Sequence, residues 1–361
     1  MLDNIARHFA DSKKGVEVRP LGSGNINDTF LVTLDALTPT QFVLQCLNTR
    51  VFRQPQWVVQ NIRIATDQAR AHLQTSPIDR RWEVPHLLLT DEGMDYYIDA
   101  DGSFWRAMSF IDNTESFEIL DCCDRAVEVG YALGTFHSLI ADIPPEHLAD
   151  TLEGFHIAPL YWQNYKSTLA GSKPQNTPEV KYCLQFVRDR SSLTGVLEGA
   201  KKQGKLPLRP IHGDPKINNI LFDIETGRAA SLIDLDTVKP GLIQYDLGDC
   251  LRSGCNRGGE ETKEWENVSF DLELCQGILK GYLGVAGSFL TENDYAYLYD
   301  AARLIAFELG LRFFTDYLAG NVYFKVQYPE HNLARALVQF KLTESIELQE
   351  QKIREIIKTF Q

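Results

Sequence analysis

The stretch His212-Gly213-Asp214-Pro215-Lys216-Ile217-Asn218-Asn219, followed by Ile233-Asp234, constrains this chain more than any other. Ile220-Leu221-Phe222-Asp223 reads as a short apolar strand, and Glu225-Thr226-Gly227 supplies a turn with glycine where positive φ is easiest. Ala229 to Ile233 returns as a second strand, so Asn219 and Asp234 come to the same end of one hairpin. The spacing matches a chemistry. Asp214 can accept or orient the proton of an attacking hydroxyl, while Asn219 and Asp234 can reach a magnesium ion from two sides. A surface turn beside an ordinary hairpin is the plain alternative, but it does not require all three side chains to keep this spacing at once.

The template for such a centre is H-R-D-x-x-x-x-N with a metal-binding Asp one hairpin later. Composition is compatible with it. The 361 residues are 44% hydrophobic, enough for two lobes with a large core. A net charge of −13 argues against broad binding to nucleic acid or an anionic membrane. ATP remains possible, because magnesium and backbone amides handle phosphate charge locally. The seven cysteines show no C-x-x-C pair and no histidine at zinc-ligand spacing, so reduced thiols are expected. The N-terminus has no apolar leader, and no run reaches transmembrane length. The expectation is a soluble, cytoplasmic monomer.

Along the chain, a short helix over residues 3 to 10 precedes strands at 16–21, 29–34 and 41–47. A helix is predicted from Gln56 to Leu73. Strands follow at 85–89 and 96–98, then an apolar stretch from Phe104 to Ile111. Beyond Asn113 the texture becomes helical: a stripe from Ala126 to Ile140, then 161–169, 180–197, 271–283, 292–318 with a break near Gly310, and 333–359. The predicted class is α+β. A small, mainly antiparallel β lobe (1–112) would carry nucleotide, and a larger, mainly α lobe (113–361) the catalytic loop, metal and substrate.

Gly22-Ser23-Gly24 lies between two strands, not between strand and helix. That favours a hairpin lying over phosphates rather than a Rossmann loop. His137 sits on an apolar helical stripe and reads as a satisfied core histidine. Asp236 shares the face of Asp234 by strand periodicity and is either a second metal-side carboxylate or a solvated turn residue. In Tyr245-Asp246-Leu247-Gly248-Asp249, at least one carboxylate is expected to accept backbone amides of the catalytic loop.

The chain resembles the aminoglycoside phosphotransferase and choline kinase group of protein-kinase-like small-molecule kinases. The resemblance rests on His212-Gly213-Asp214 with Asn219, on Ile233-Asp234 and Gly241, and on Leu133-Gly134-Thr135-Phe136-His137 and Tyr245–Asp249. Within that group it looks most like the bacterial N-acetylhexosamine 1-kinases. The finer likeness is carried by Gly22–Asn27, Phe42-Val43-Leu44-Gln45, Asn218–Leu221 and Ile233–Thr237. It also runs from Arg312-Phe313 through Asp316-Tyr317-Leu318 and Tyr323-Phe324 to Tyr328–Leu333.

The resemblance implies an ATP- and Mg2+-dependent kinase with Asp214 as catalytic base and Asn219 and Asp234 on the metal. Gly22, Ser23, Gly24, Asn25 and Gln45 would face the nucleotide, and Met108 to Ile111, including Phe110, would meet adenine. Arg312, Tyr323 and Asp249 would bind the sugar. Alternatives are kinases of homoserine, choline or methylthioribose, or a nucleotide-binding regulator without turnover. One departure stands out: the strand position that usually carries a phosphate-gripping lysine holds Gln45. On the following helix, Gln60, Asn61 and Arg63 stand where a glutamate partner is expected. Arg63 is the candidate replacement cation.

Overall fold

Alternating apolar residues build the first lobe. The computed structural model describes residues 2–10, 15–22, 26–35 and 40–361. After helix α1 (Leu2–Ala6), strands β1 (Val16–Pro20), β2 (Asp28–Leu34) and β3 (Thr40–Leu47) form an antiparallel meander. Helix α2 (Pro55–Thr75) follows, then β4 (Leu87–Leu88), β5 (Tyr97–Ile98) and β6 (Phe104–Ser109), which complete a sheet of order β1-β2-β3-β6-β4 with β5 also on β6. One face packs Val32, Leu44, Trp105 and Ala107 beneath α1. The other sends Leu47, Phe104 and Met108 toward α2 and the second lobe. The strands predicted at 85–89 and 96–98 shrink to two residues each, because only those residues pair with β6.

The chain leaves the first sheet after Ser109 and joins a second at β7 (Thr114–Glu115). The second lobe holds α3 (Cys123–Ile140), α4 (Ala158–Gly171), α5 (Pro178–Asp189), α6 (Val196–Lys202), β8 (Arg209–Ile211), β9 (Ile220–Asp223), β10 (Ala229–Leu232) and β11 (Lys239–Gly241). Helices α7 (Ile243–Gly254), α8 (Leu272–Ala286), α9 (Glu292–Ala296), α10 (Leu298–Leu318), α11 (His331–Leu348) and α12 (Glu350–Lys358) complete it. The class is α+β, an antiparallel sheet lobe and a helical lobe, as expected. No helix among the described residues is long and apolar enough to cross a membrane.

Helix α3 packs on α8 at glycine-thin contacts. A Cβ on Gly130 would stand 1.9 Å from the Ile278 carbonyl oxygen, and one on Gly281 1.9 Å from that of Val127. This approach brings His137 and Tyr282 together beneath the catalytic loop. Three helix expectations are corrected. The segment 180–197 is two helices, α5 and α6, separated by a 3-10 turn at Ser191–Gly195. The segment 333–359 breaks at Gln349. Gly310 does not break α10; the break is at Tyr297. Gly310 is small because Phe340 crosses there, its ring 2.6 Å from where a Cβ would be.

Candidate active site

The loop that begins at His212 is built so that its peptide groups have nowhere else to go. Asp246, on the first turn of α7, accepts the amides of His212 at 2.6 Å and Gly213 at 2.8 Å. The Asp214 amide donates to His212 Nδ1 at 3.2 Å. Thr237 Oγ1 donates to the His212 carbonyl at 2.8 Å and His156 Nε2 to that of Gly213 at 2.9 Å. Asn219 Nδ2 closes the set on the Asp214 carbonyl at 2.8 Å. Every amide and carbonyl from 212 to 214 is thereby paired, which fixes the direction of the Asp214 side chain. Gly213 has φ +89°, and a Cβ would be 2.6 Å from the Thr237 carbonyl oxygen, so no other residue fits.

The support continues below the loop. His137 bridges Asp246 Oδ2 at 2.8 Å and the Tyr282 hydroxyl at 2.9 Å. His212 Nδ1 accepts an amide, so its proton is on Nε2, which donates to the Ile233 carbonyl at 2.9 Å. Burial lowers the His212 pKa, in keeping with a neutral ring.

Beyond the loop, the Ile233 amide donates to the Asn219 carbonyl at 2.8 Å, and Leu232 pairs with Ile220, so Asp234 emerges beside Asn219. Asp234 has left-handed φ and ψ of 64° and 57°, which turns its carboxylate off the strand into the cleft. Among the described residues that carboxylate makes no hydrogen bond or ion pair. Its residue surface is exposed to solvent. Crowding by protein, then Asp236 and Asp214, push its pKa up against the pull of Lys216 and Arg106. The Asn219 amide donates through Nδ2 and leaves Oδ1 for a cation. An oxygen pair short of positive charge, on a cleft that would also supply phosphate oxygens, fits Mg2+.

Two cations face these carboxylates. Lys216 Nζ lies 3.0 Å from Asp214 Oδ2, and Asp214 is foremost in raising its pKa. Arg106, on β6, pairs with Asp236 and donates twice to Gln45 Oε1, at 3.1 Å from Nε and 2.7 Å from Nη2. Asn27 also donates to Asp236, so the turn after the glycines meets the hairpin of the other lobe. Asp236 is therefore buried and paired rather than a solvated turn residue. Arg63 is corrected as the replacement cation: it pairs with Asp95 and Asp67. Asn61 instead ties the lobes, donating at 2.8 Å to the carbonyls of Ala149 and Val238.

Of the nucleotide residues named above, Gly22 has φ +70° at the hairpin mouth, while Ser23, Gly24 and Asn25 lie outside the described residues. Met108 is still within β6, between Val43 and Leu87, and Phe110 is the first residue after Ser109 ends it.

A second cluster, around Arg312, is aromatic and charged. The Arg312 guanidinium stands 5.2 Å from the Phe155 ring centroid, 5.1 Å from Tyr161 and 5.5 Å from Phe324. No carboxylate among the described residues pairs with it. Burial works against its charge, but Tyr161, Tyr323, Glu308 and Asp214 outweigh burial. Asp316, one turn on, is occupied elsewhere: it accepts the amides of Val322, Tyr323 and Phe324 at 2.9, 2.9 and 3.0 Å. That clamp fixes the segment carrying Tyr323, which is half-exposed. Asp249 Oδ1 accepts from Arg252 Nε at 2.8 Å, but its buried Oδ2 has no partner among the described residues. Burial would raise the Asp249 pKa; Arg252, His156 and Lys216 outweigh it and hold the group below the ordinary range.

His156 and Glu308 escaped the sequence reading. His156 donates from Nε2 to Gly213 and meets Glu308 Oε1 through Nδ1 at 2.9 Å. The Gly213 carbonyl only accepts, so Nε2 carries a proton; with Glu308 as a carboxylate, Nδ1 donates as well and the ring is an imidazolium. Burial opposes that charge, but Glu308 and Asp249 raise the pKa. Glu308 Oε2, like Asp249 Oδ2, is buried without a partner among the described residues. The available signal was a charged residue inside an apolar run: Glu308 in Ile305–Leu311 and Arg106 in Phe104–Met108.

Residues 17–274 match the phosphotransferase enzyme family. Among solved structures, the chain is similar to a microcompartment-associated aminopropanol kinase, with 17% identity over 98% of each chain and a TM-score of 0.65. It is also similar to an aminoglycoside phosphotransferase from Alicyclobacillus acidocaldarius subsp. acidocaldarius DSM 446, with 14% identity over 94% of this chain and 92% of that one and a TM-score of 0.64. A choline kinase from Cryptosporidium parvum Iowa II shares 16% identity over 94% of this chain and 91% of its own, with a TM-score of 0.57. Identities this low speak to the fold.

Proposed function

The chain belongs to the phosphotransferase enzyme family, and on that premise we propose that it uses ATP and Mg2+ to phosphorylate the anomeric hydroxyl of an N-acetylhexosamine. The observation that carries this reading is the Arg312 cage. In a kinase of a quaternary ammonium alcohol, three aromatic faces would receive the cation of the acceptor. Here the chain's own guanidinium occupies them. A neutral, polyhydroxylated acceptor suits what remains. Arg312 can fork two hydrogen bonds to vicinal oxygens, and the spare oxygens of Asp249 and Glu308 can accept from hydroxyl or amide N–H groups. The likeness of Arg312 and Tyr323 to sugar-binding positions of N-acetylhexosamine 1-kinases is what supports the anomeric hydroxyl as the acceptor.

Asp214 would orient the attacking hydroxyl and take its proton on a carboxylate oxygen, with Lys216 balancing the charge on that carboxylate. Asn219 and Asp234 would hold Mg2+, which when bound neutralises phosphate oxygens in the cleft. Catalysis is then mostly positioning and charge neutralisation. ADP release from Mg-ATP, screened against N-acetylhexosamines, choline, ethanolamine, aminopropanol, homoserine and methylthioribose, tests the reading. Turnover confined to hexosamines supports it. Turnover confined to amino alcohols would assign Asp249 and Glu308 to an ammonium group instead, and no turnover with any acceptor would favour a nucleotide-binding regulator.

A further inference from the structure

We propose that Arg106 is the nucleotide's phosphate grip, acting from β6 in place of a lysine on β3, with Gln45 as its positioning residue. The inference rests on the ATP-using reading above. It starts from register. Gln45 and Arg106 are direct partners across the β3–β6 ladder, so their side chains share one face. That face is the cleft face, since Met108, two residues along, packs toward the second lobe, while Trp105 and Ala107 pack under α1. A cation lost from one strand is thus recovered on its neighbour.

The fork itself points to a missing partner. Arg106 is 1% exposed. Nε and Nη2 donate to Gln45 Oε1 and Nη2 also to Asp236, but the buried Nη1 has no partner among the described residues. A buried guanidinium with an idle nitrogen is costly unless a ligand completes it, and an anion with several acceptor oxygens is what a fork suits. The location agrees: Arg106 pairs with Asp236, two residues along the chain from Asp234, the carboxylate assigned to the metal. Gln45 is the lever that aims it. Its Oε1 takes two of the guanidinium donors, and its Nε2 is anchored to Thr29 Oγ1 at 3.2 Å. Glutamine here is a neutral acceptor that orients the arginine without adding a second carboxylate to the Asp236 already paired with it, which a glutamate would do.

The competing account is a staple: Arg106 belongs to one lobe and Asp236 to the other, so the pair could serve only to hold the lobes together. Calorimetric titration with adenosine and with ADP, each with Mg2+, separates the two. Arg106→Met should weaken ADP at least about tenfold and adenosine less than about threefold, because adenosine carries no phosphate. Arg106→Lys keeps the charge without the fork and should fall between, which covers the case in which Arg106→Met does not fold. Gln45→Leu should weaken ADP by about threefold and leave adenosine unchanged. Unchanged ADP affinity in Arg106→Lys and Arg106→Met, or equal losses for adenosine and ADP, overturns the grip in favour of the staple. Failure of the unaltered protein to bind either ligand would instead remove the ATP-using reading, and the grip with it.

Discussion

The loop from His212 to Asp214 and the clusters around Arg106 and Arg312 handle their polar groups in opposite ways. In the loop, each amide and carbonyl from His212 to Asp214 has a protein partner. In the clusters, Arg106 Nη1, Asp249 Oδ2 and Glu308 Oε2 are buried without one among the described residues. Full pairing gives a carboxylate one direction, which suits proton handling. Incomplete pairing at buried charges destabilises the protein and is tolerated where something else completes it.

The contrast predicts different failures. The largest concerns the loop's anchor. Asp246→Ala strips the acceptor from two amides and from His137, and should cost about 3–5 kcal/mol of stability by denaturant unfolding, together with activity. A loss below about 1 kcal/mol would mean that the loop is held otherwise. Asp214→Asn should do the reverse: turnover falls at least about a hundredfold while the unfolding midpoint stays within a degree or two. Near-normal turnover would remove Asp214 as the base.

In the second cluster, Arg312→Lys should raise the acceptor KM about tenfold and leave the ATP KM nearly unchanged, because a point charge cannot replace the fork. Parallel changes in both constants would place Arg312 in the general architecture instead.

The smallest effect is at the boundary between the two regions. The His156 pKa is raised in the folded protein above its unfolded value of about 6.5. Its stabilisation is therefore fully present below pH 6.5 and is lost as pH rises through the folded value. The stability difference between the protein and His156→Gln should shrink as pH rises from 6 to 9. A difference independent of pH would contradict an imidazolium at that place.

What was legible in the sequence follows the same division. The hairpin from Ile220 to Asp234 is local: strand, turn glycine and return lie within fifteen residues, so its geometry follows from short-range rules. That Asp246 or Asp249 would hold the loop was legible, but which of the two was not, because it depends on how α7 lies against His212 and Gly213. Arg106 was not legible, because its meaning depends on a partner on β3 sixty-one residues away and on Asp236 in the other lobe. Glu308 likewise matters only once α10 is laid against His156 and its unusual φ of 62°. Gly310 was misread as a helix break because sequence shows a missing side chain but not the Phe340 ring that fills its place.

The central claim is that this site directs phosphate onto the anomeric oxygen of a hexosamine. Phosphorus NMR of the product from Mg-ATP and N-acetylglucosamine or N-acetylgalactosamine tests it most directly. The account predicts a phosphate coupled to H1 and released in mild acid, absent when Asp214→Asn replaces the protein. An acid-stable 6-phosphate, or no hexosamine phosphate beside rapid phosphorylation of an amino alcohol, would contradict it.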